Sequence, residues 1–156
     1  MRFYLSFALF LAVLSIFACG KKPPNEPAIK YVGTNKTFMV QNRQDSMLLE
    51  FSFTDGDGDL GDGSQDAIFI RDSRDSSIVA TYQIPAYLQS DKKKCQEGTI
   101  TLLVYSRCCV YADSSSCYPN SLIGLDSLFY ELQMRDRAGN WSNTIQTELI
   151  ELDCNR

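Results

Sequence analysis

The nine residues Asp55-Gly56-Asp57-Gly58-Asp59-Leu60-Gly61-Asp62-Gly63 hold the most specific chemistry in the chain. Carboxylates at alternate positions, separated by glycine, let a tight turn aim several hard oxygens at one point. Calcium suits that arrangement, because it takes about 6–8 oxygen ligands from carboxylates and carbonyls. Five acids and no basic residue lie between Asp55 and Asp66. Such crowding repels itself unless a cation offsets it, which makes Asp55, Asp57 and Asp59 candidate calcium ligands; a solvated acidic turn would use the same residue types. An ion fully enclosed by such ligands has no open coordination position for a substrate, so its role would be structural.

Histidine is absent. That excludes a Ser-His-Asp triad, a Cys-His pair and His-ligated zinc or iron. Hydrolysis by paired carboxylates stays open in principle. However, no two acids lie in an apolar pattern that would raise one pKa, and a non-catalytic role is expected. The formal charge is −4; without residues 1–18, which hold Arg2 and no acid, 14 Lys and Arg face 19 Asp and Glu, or −5. Nucleic acid, which calls for a basic stripe, is not an expected partner.

The elements that would carry these loops are strands. Leu49, Phe51 and Phe53 alternate with Leu48, Glu50 and Ser52. Leu128, Tyr130, Leu132 and Met134 alternate with Phe129, Glu131, Gln133 and Arg135, and Ile100, Leu102 and Val104 repeat the pattern. Shorter β-rich runs span 37–40, 67–71, 78–84 and 145–152. Clusters of Gly, Asp, Asn and Ser separate them, and no apolar stripe at i, i+3, i+4 is long enough for a helix. About seven short strands with such breaks predict an all-β antiparallel sandwich.

The N-terminus reads differently. Phe3 to Ala18 is nearly all apolar, too short for a spanning helix, and Lys21 to Pro27 after it is polar and proline-rich. Ile16-Phe17-Ala18-Cys19 resembles the lipobox of bacterial lipoproteins, in which the cysteine is diacylated and becomes the mature N-terminus. The expected organisation is a signal peptide over 1–18, lipidated Cys19 and linker over 19–29, and one domain over 30–156. In other Gram-negative lipoproteins, Gly20 in place of Asp favours the outer membrane. An exported chain meets oxidising conditions, so Cys95, Cys108, Cys109, Cys117 and Cys154 are disulfide candidates. Five is odd, leaving one unpaired. Cys108 and Cys109 point to opposite faces if they lie on a strand, and so take different partners. Cys117 can close a short loop with one, Cys95 can staple the preceding strand to the other, and Cys154 is left over or competes with Cys95.

Asp136-Arg137-Ala138-Gly139-Asn140-Trp141-Ser142, following an apolar strand, resembles the last hairpin of bacterial Ig-like and fibronectin-III-like domains. That resemblance implies strand B at Met47–Phe53, strand F at Leu128–Arg135 and strand G at Ile145–Leu152. It puts the acidic loop at the same end as Asp136, which would then join the calcium ligands, with Asn140 a weaker candidate or a cap of the turn. An EF-hand fits less well: Leu60 and Asp66 stand where that loop has Gly and Glu. The full layout is similar to that of small Bacteroidota-type lipoproteins. It implies an outer-membrane-anchored, calcium-stabilised binding module for an envelope protein or glycan. The alternatives are a structural accessory subunit of an envelope complex and a carboxylate-dependent hydrolase.

Overall fold

In the computed structural model, residues 23–40, 45–61, 64–85, 95–107 and 124–154 are described. Cys19, Cys108, Cys109 and Cys117 lie outside them, as do Asp62 and the two tyrosines at 111 and 118. Among the described residues no helix is long and apolar enough to cross a membrane.

The alternation of apolar residues produces the expected all-β sandwich. Strand β1 (Ala28–Thr34) pairs antiparallel with β3 (Ser46–Asp55), which pairs along its whole length with β6 (Gln96–Tyr105). The facing sheet has the order β5 (Ile78–Gln83), β4 (Asp66–Asp72), β8 (Tyr130–Met134), β9 (Ile145–Gln146). Beside it, β10 (Ile150–Asp153) pairs with β7 (Leu125–Leu128) and with β2 (Phe38–Val40). The first and second sheets correspond to the ABE and C′CFG sheets of an Ig-like domain. Between them lies one apolar core. Met47, Leu49 and Phe51 of β3 meet Ile68 and Ile70 of β4 and Tyr130, Leu132 and Met134 of β8, each 1% exposed or less.

Ten strands form where the sequence predicts about seven, and β2 lies parallel to β10 in an otherwise antiparallel architecture. Three local causes account for the extra strands. Strand F divides at Phe129: its amide donates to Ser73 Oγ and its carbonyl accepts from the Ser73 amide, both at 3.1 Å. Strand G divides because its inward parity slips. Ile145 and Thr147 are partly buried, Glu148 and Leu149 both turn outward, and Ile150 and Leu152 are fully buried. One extra residue in a strand shifts every later side chain by a face. The third cause is β1, whose first two residues fall in the expected linker and whose remainder carries no strand signal of its own in the sequence. It is tied to the opposite sheet by Asn143, whose side-chain amide accepts from the Ile29 amide and donates to the Ile29 carbonyl, both at 2.9 Å. The amide side chain thus mimics a rung of backbone pairing.

Candidate metal centre

The acidic loop begins where β3 ends. Asp55, the last residue of β3, is fully buried, and Asp57 and Asp59 are partly buried. Two features bend the chain back over them. Gly58 has φ +71°, a left-handed conformation that costs glycine little and other residues more. Leu60, only 1% exposed, joins the core and pins the loop's far end. Leucine therefore replaces the glycine an EF-hand would have here because the turn falls at residue 58, leaving residue 60 free to act as an apolar anchor.

The three carboxylates converge, with one oxygen of each lying within 4.8 Å of the others. Their second oxygens explain how they are aimed. Asp55 Oδ2 accepts from the Asp59 amide at 2.9 Å, and Asp59 Oδ2 accepts from the Ala138 amide at 3.1 Å. Oδ1 of Asp55, Asp57 and Asp59 are buried and have no hydrogen-bond partner. Buried polar atoms are normally paired, because an unmet one costs about 1–3 kcal/mol, and more when charged. Carboxylates so grouped could hold a metal ion.

Electrostatics agrees with the geometry. Burial, reinforced by the charges of Asp57, Asp59 and Asp136, pushes the Asp55 carboxyl up to about 6, against the pull of its bond from the Asp59 amide. Burial and the charges of Asp136 and Asp57 also raise Asp59. Burial first and the neighbouring carboxylates second disfavour the charged forms, and a divalent cation would offset both.

Asp136 does reach this end of the sandwich, as its effect on both carboxyls shows, and it is 5% exposed. It stands outside the three-carboxylate group, because both of its oxygens serve Asn140: Oδ1 accepts from the backbone amide at 2.7 Å and Oδ2 from the side-chain amide at 2.8 Å. Asn140 caps the turn. That turn in turn holds Asp59 through the Ala138 amide and through Arg137, whose Nε donates to the Asp59 carbonyl at 2.9 Å. Asp136 thus shapes the loop that grips Asp59.

One participant carries no signal in the sequence. The Gly56 amide donates to the Pro24 carbonyl at 3.0 Å. A Cβ at Gly56 would sit 2.2 Å from the Pro24 oxygen and 2.3 Å from the Pro23 oxygen. The proline-rich segment is docked on the acidic loop, and only a residue without a side chain permits the approach.

Of the other residues singled out in the sequence, Cys95 is exposed and its thiol is free. Cys154 is buried at the end of β10 and disulfide-bonded. Trp141 is 42% exposed; its ring lies 5.0 Å from that of Phe69, and the Arg135 guanidinium sits 5.4 Å from each ring centre. This is a packed stack at the loop end, as a Trp after a tight turn suggests. No family model matches the chain, and no curated protein is significantly similar to it.

Proposed function

We propose that this chain is a lipid-anchored, non-catalytic module of the bacterial outer membrane, an Ig-like sandwich stabilised by a structural calcium ion that binds an envelope protein or a glycan. The observation that carries the calcium reading is the set of three buried, partnerless Oδ1 atoms of Asp55, Asp57 and Asp59. All the donors are hard carboxylate oxygens on a flexible glycine loop, the chemistry calcium prefers over zinc or copper. The anchor reading rests on the lipobox-like run that ends at Cys19, and the outer membrane on Gly20. The disulfide at Cys154 suits an exported chain.

One observation favours the second reading, an accessory subunit of a larger assembly. Leu48 and Leu103 are opposite each other on the outward face of β3 and β6, with Val32 and Tyr105 nearby, and each is at least 42% exposed. Neighbouring exposed apolar side chains of this kind mark contact with another protein.

A thermal melt of the chain without residues 1–19, in EGTA and then in excess calcium or magnesium, tests the calcium reading. A ligand specific to the folded state adds about 2.7 kcal/mol at 100 times its Kd. The expected result is a rise of several degrees with calcium alone. Equal melts in all three conditions would reduce the loop to a solvated turn.

A further inference from the structure

The docking of the proline-rich segment fixes where the acidic loop stands relative to the anchor. Gly56 donates to the Pro24 carbonyl, and a Cβ on it would meet the Pro23 and Pro24 oxygens. Only Gly20, Lys21 and Lys22 separate Pro23 from Cys19. Four residue steps of fully extended chain span at most ~14 Å. A lipid on Cys19 therefore holds this end of the sandwich next to the headgroups, whichever way the rest of the domain leans.

We propose that the loop Asp55–Asp59 is a membrane-facing surface at which a bound calcium ion engages the phosphate of a lipid headgroup. The inference rests on the calcium and anchor readings above and adds a partner to them. Without a cation, Asp55, Asp57, Asp59 and Asp136 put four carboxylates against a layer of phosphates, and the two repel. A divalent ion changes the sign of the encounter. Asp55 is fully buried with Oδ1 aimed at the site and unpartnered, so the loop is built to hold an ion. Asp57 and Asp59 are only partly buried, so that ion lies near the surface. Three carboxylate oxygens fill at most half of the roughly 6–8 positions calcium takes, and phosphate oxygen is a suitable hard ligand for the remainder. Arg137, exposed on the adjoining turn, adds a cation beside the same face.

The sole tryptophan allows a direct test. Trp141 follows the turn that holds Asp59 and is exposed at the same end. The full lipid-modified chain, its acylation checked by mass, is reconstituted into phosphatidylglycerol vesicles doped with a dansyl-headgroup lipid. Energy transfer from Trp141 to dansyl is read in EGTA and in calcium, with a thermal melt of the same sample. Calcium is expected to raise the transfer and EGTA to reverse it. Asp57→Asn should lose the calcium-dependent increment, and Gly56→Ala, which pushes the tether off the loop, should lower transfer even in calcium. Wild-type protein with and without EGTA keeps the test decisive if either variant fails to fold. Transfer that ignores calcium while the melt still rises would overturn the membrane-facing inference and leave the calcium reading standing. A melt that also ignores calcium would remove both. An unacylated mass would remove the anchor and the inference with it. Calcium binding tightened by inorganic phosphate in solution but not by vesicles would assign the open positions to free phosphate and overturn the proposal.

Discussion

Replacing Asp55 by asparagine should stabilise the metal-free protein and destabilise the calcium-bound one. Asp55 is fully buried; Oδ2 accepts from the Asp59 amide at 2.9 Å, and Oδ1 has no partner. Asparagine keeps an oxygen for that amide and offers N–H groups to the neighbouring carboxylates. The carboxyl of Asp55 is pushed up to about 6 in the folded protein. An acid whose folded pKa lies above its unfolded value binds its proton more tightly when folded. Its penalty is therefore absent below pH ~4, grows as pH rises through about 6, and is complete at neutral pH. Two pKa units correspond to about 3 kcal/mol, and solvent screening through the half-open Asp57 side reduces this to roughly 1–3 kcal/mol. In a domain of this size that is a Tm difference of roughly 4–12 °C. Paired melts of wild type and Asp55→Asn in EGTA, from pH 4 to 7.5, should show the variant ahead at neutral pH and level at pH 4. In saturating calcium the order should invert, because the variant loses a ligand. A variant that is weaker in EGTA at every pH, or that gains as much from calcium as wild type, would refute the account of the site as self-repelling carboxylates awaiting a cation.

Two further substitutions probe the frame that carries the loop. Arg74 donates to both oxygens of Asp72, which is fully buried, to Asp126 and to the Arg107 carbonyl. Arg74→Ala leaves the buried Asp72 carboxylate without a cation and with only the backbone amide of residue 74 as a donor, so urea unfolding should show a loss of about 3–5 kcal/mol with unchanged slope; a loss under 1 kcal/mol would mean that solvent reaches Asp72. Tyr130 presents the opposite case, with a buried hydroxyl that has no partner and a phenol that burial, chiefly, pushes up to about 12. Tyr130→Phe removes an unmet polar atom and keeps the ring, so stability by the same assay should hold within about 1 kcal/mol or rise; a larger loss would reveal a bond to that hydroxyl.

What the sequence reveals follows from which interactions are local. Leu128, Tyr130, Leu132 and Met134 share parity along one strand, and all four are buried at 1% or less. Alternation is a property of consecutive residues, so the sandwich could be read from it. The division of strand G was not legible: the run 145–152 is β-rich throughout, and the slip of parity from Ile145 and Thr147 to Ile150 and Leu152 shows only once burial is known. The division of strand F was not legible either: Phe129 breaks the ladder because Ser73, 56 residues away, takes both of its backbone groups. Nor was β1, whose hold on the opposite sheet is a side-chain amide 114 residues distant. The loop repeats this contrast. Alternating Asp and Gly declares that Asp55, Asp57 and Asp59 can converge. Whether Asp136 has oxygens to spare depends on Asn140, and the cysteines resist prediction for a like reason: spacing alone cannot make Cys95 free and Cys154 bridged.

The acidic loop ties together three segments that share little else. The end of β3 supplies Asp55, the proline-rich segment lies against Gly56, and the turn after β8 holds Asp59 through Ala138 and Arg137. Each tie is one to three hydrogen bonds, of modest net worth near 1 kcal/mol apiece. Against them stand the burial of the carboxylates and, after it, their mutual repulsion, which raise Asp55 and Asp59 together. A bound cation removes the repulsion and keeps every tie. Calcium would therefore act first on the junction between the sandwich and the proline-rich segment and only secondarily on the core, which Leu60 alone of the loop joins beside Phe51, Leu132 and Met134. Hydrogen exchange at the Gly56, Asp59 and Ala138 amides should accordingly slow with calcium by more than exchange in the middle of β3 and β8.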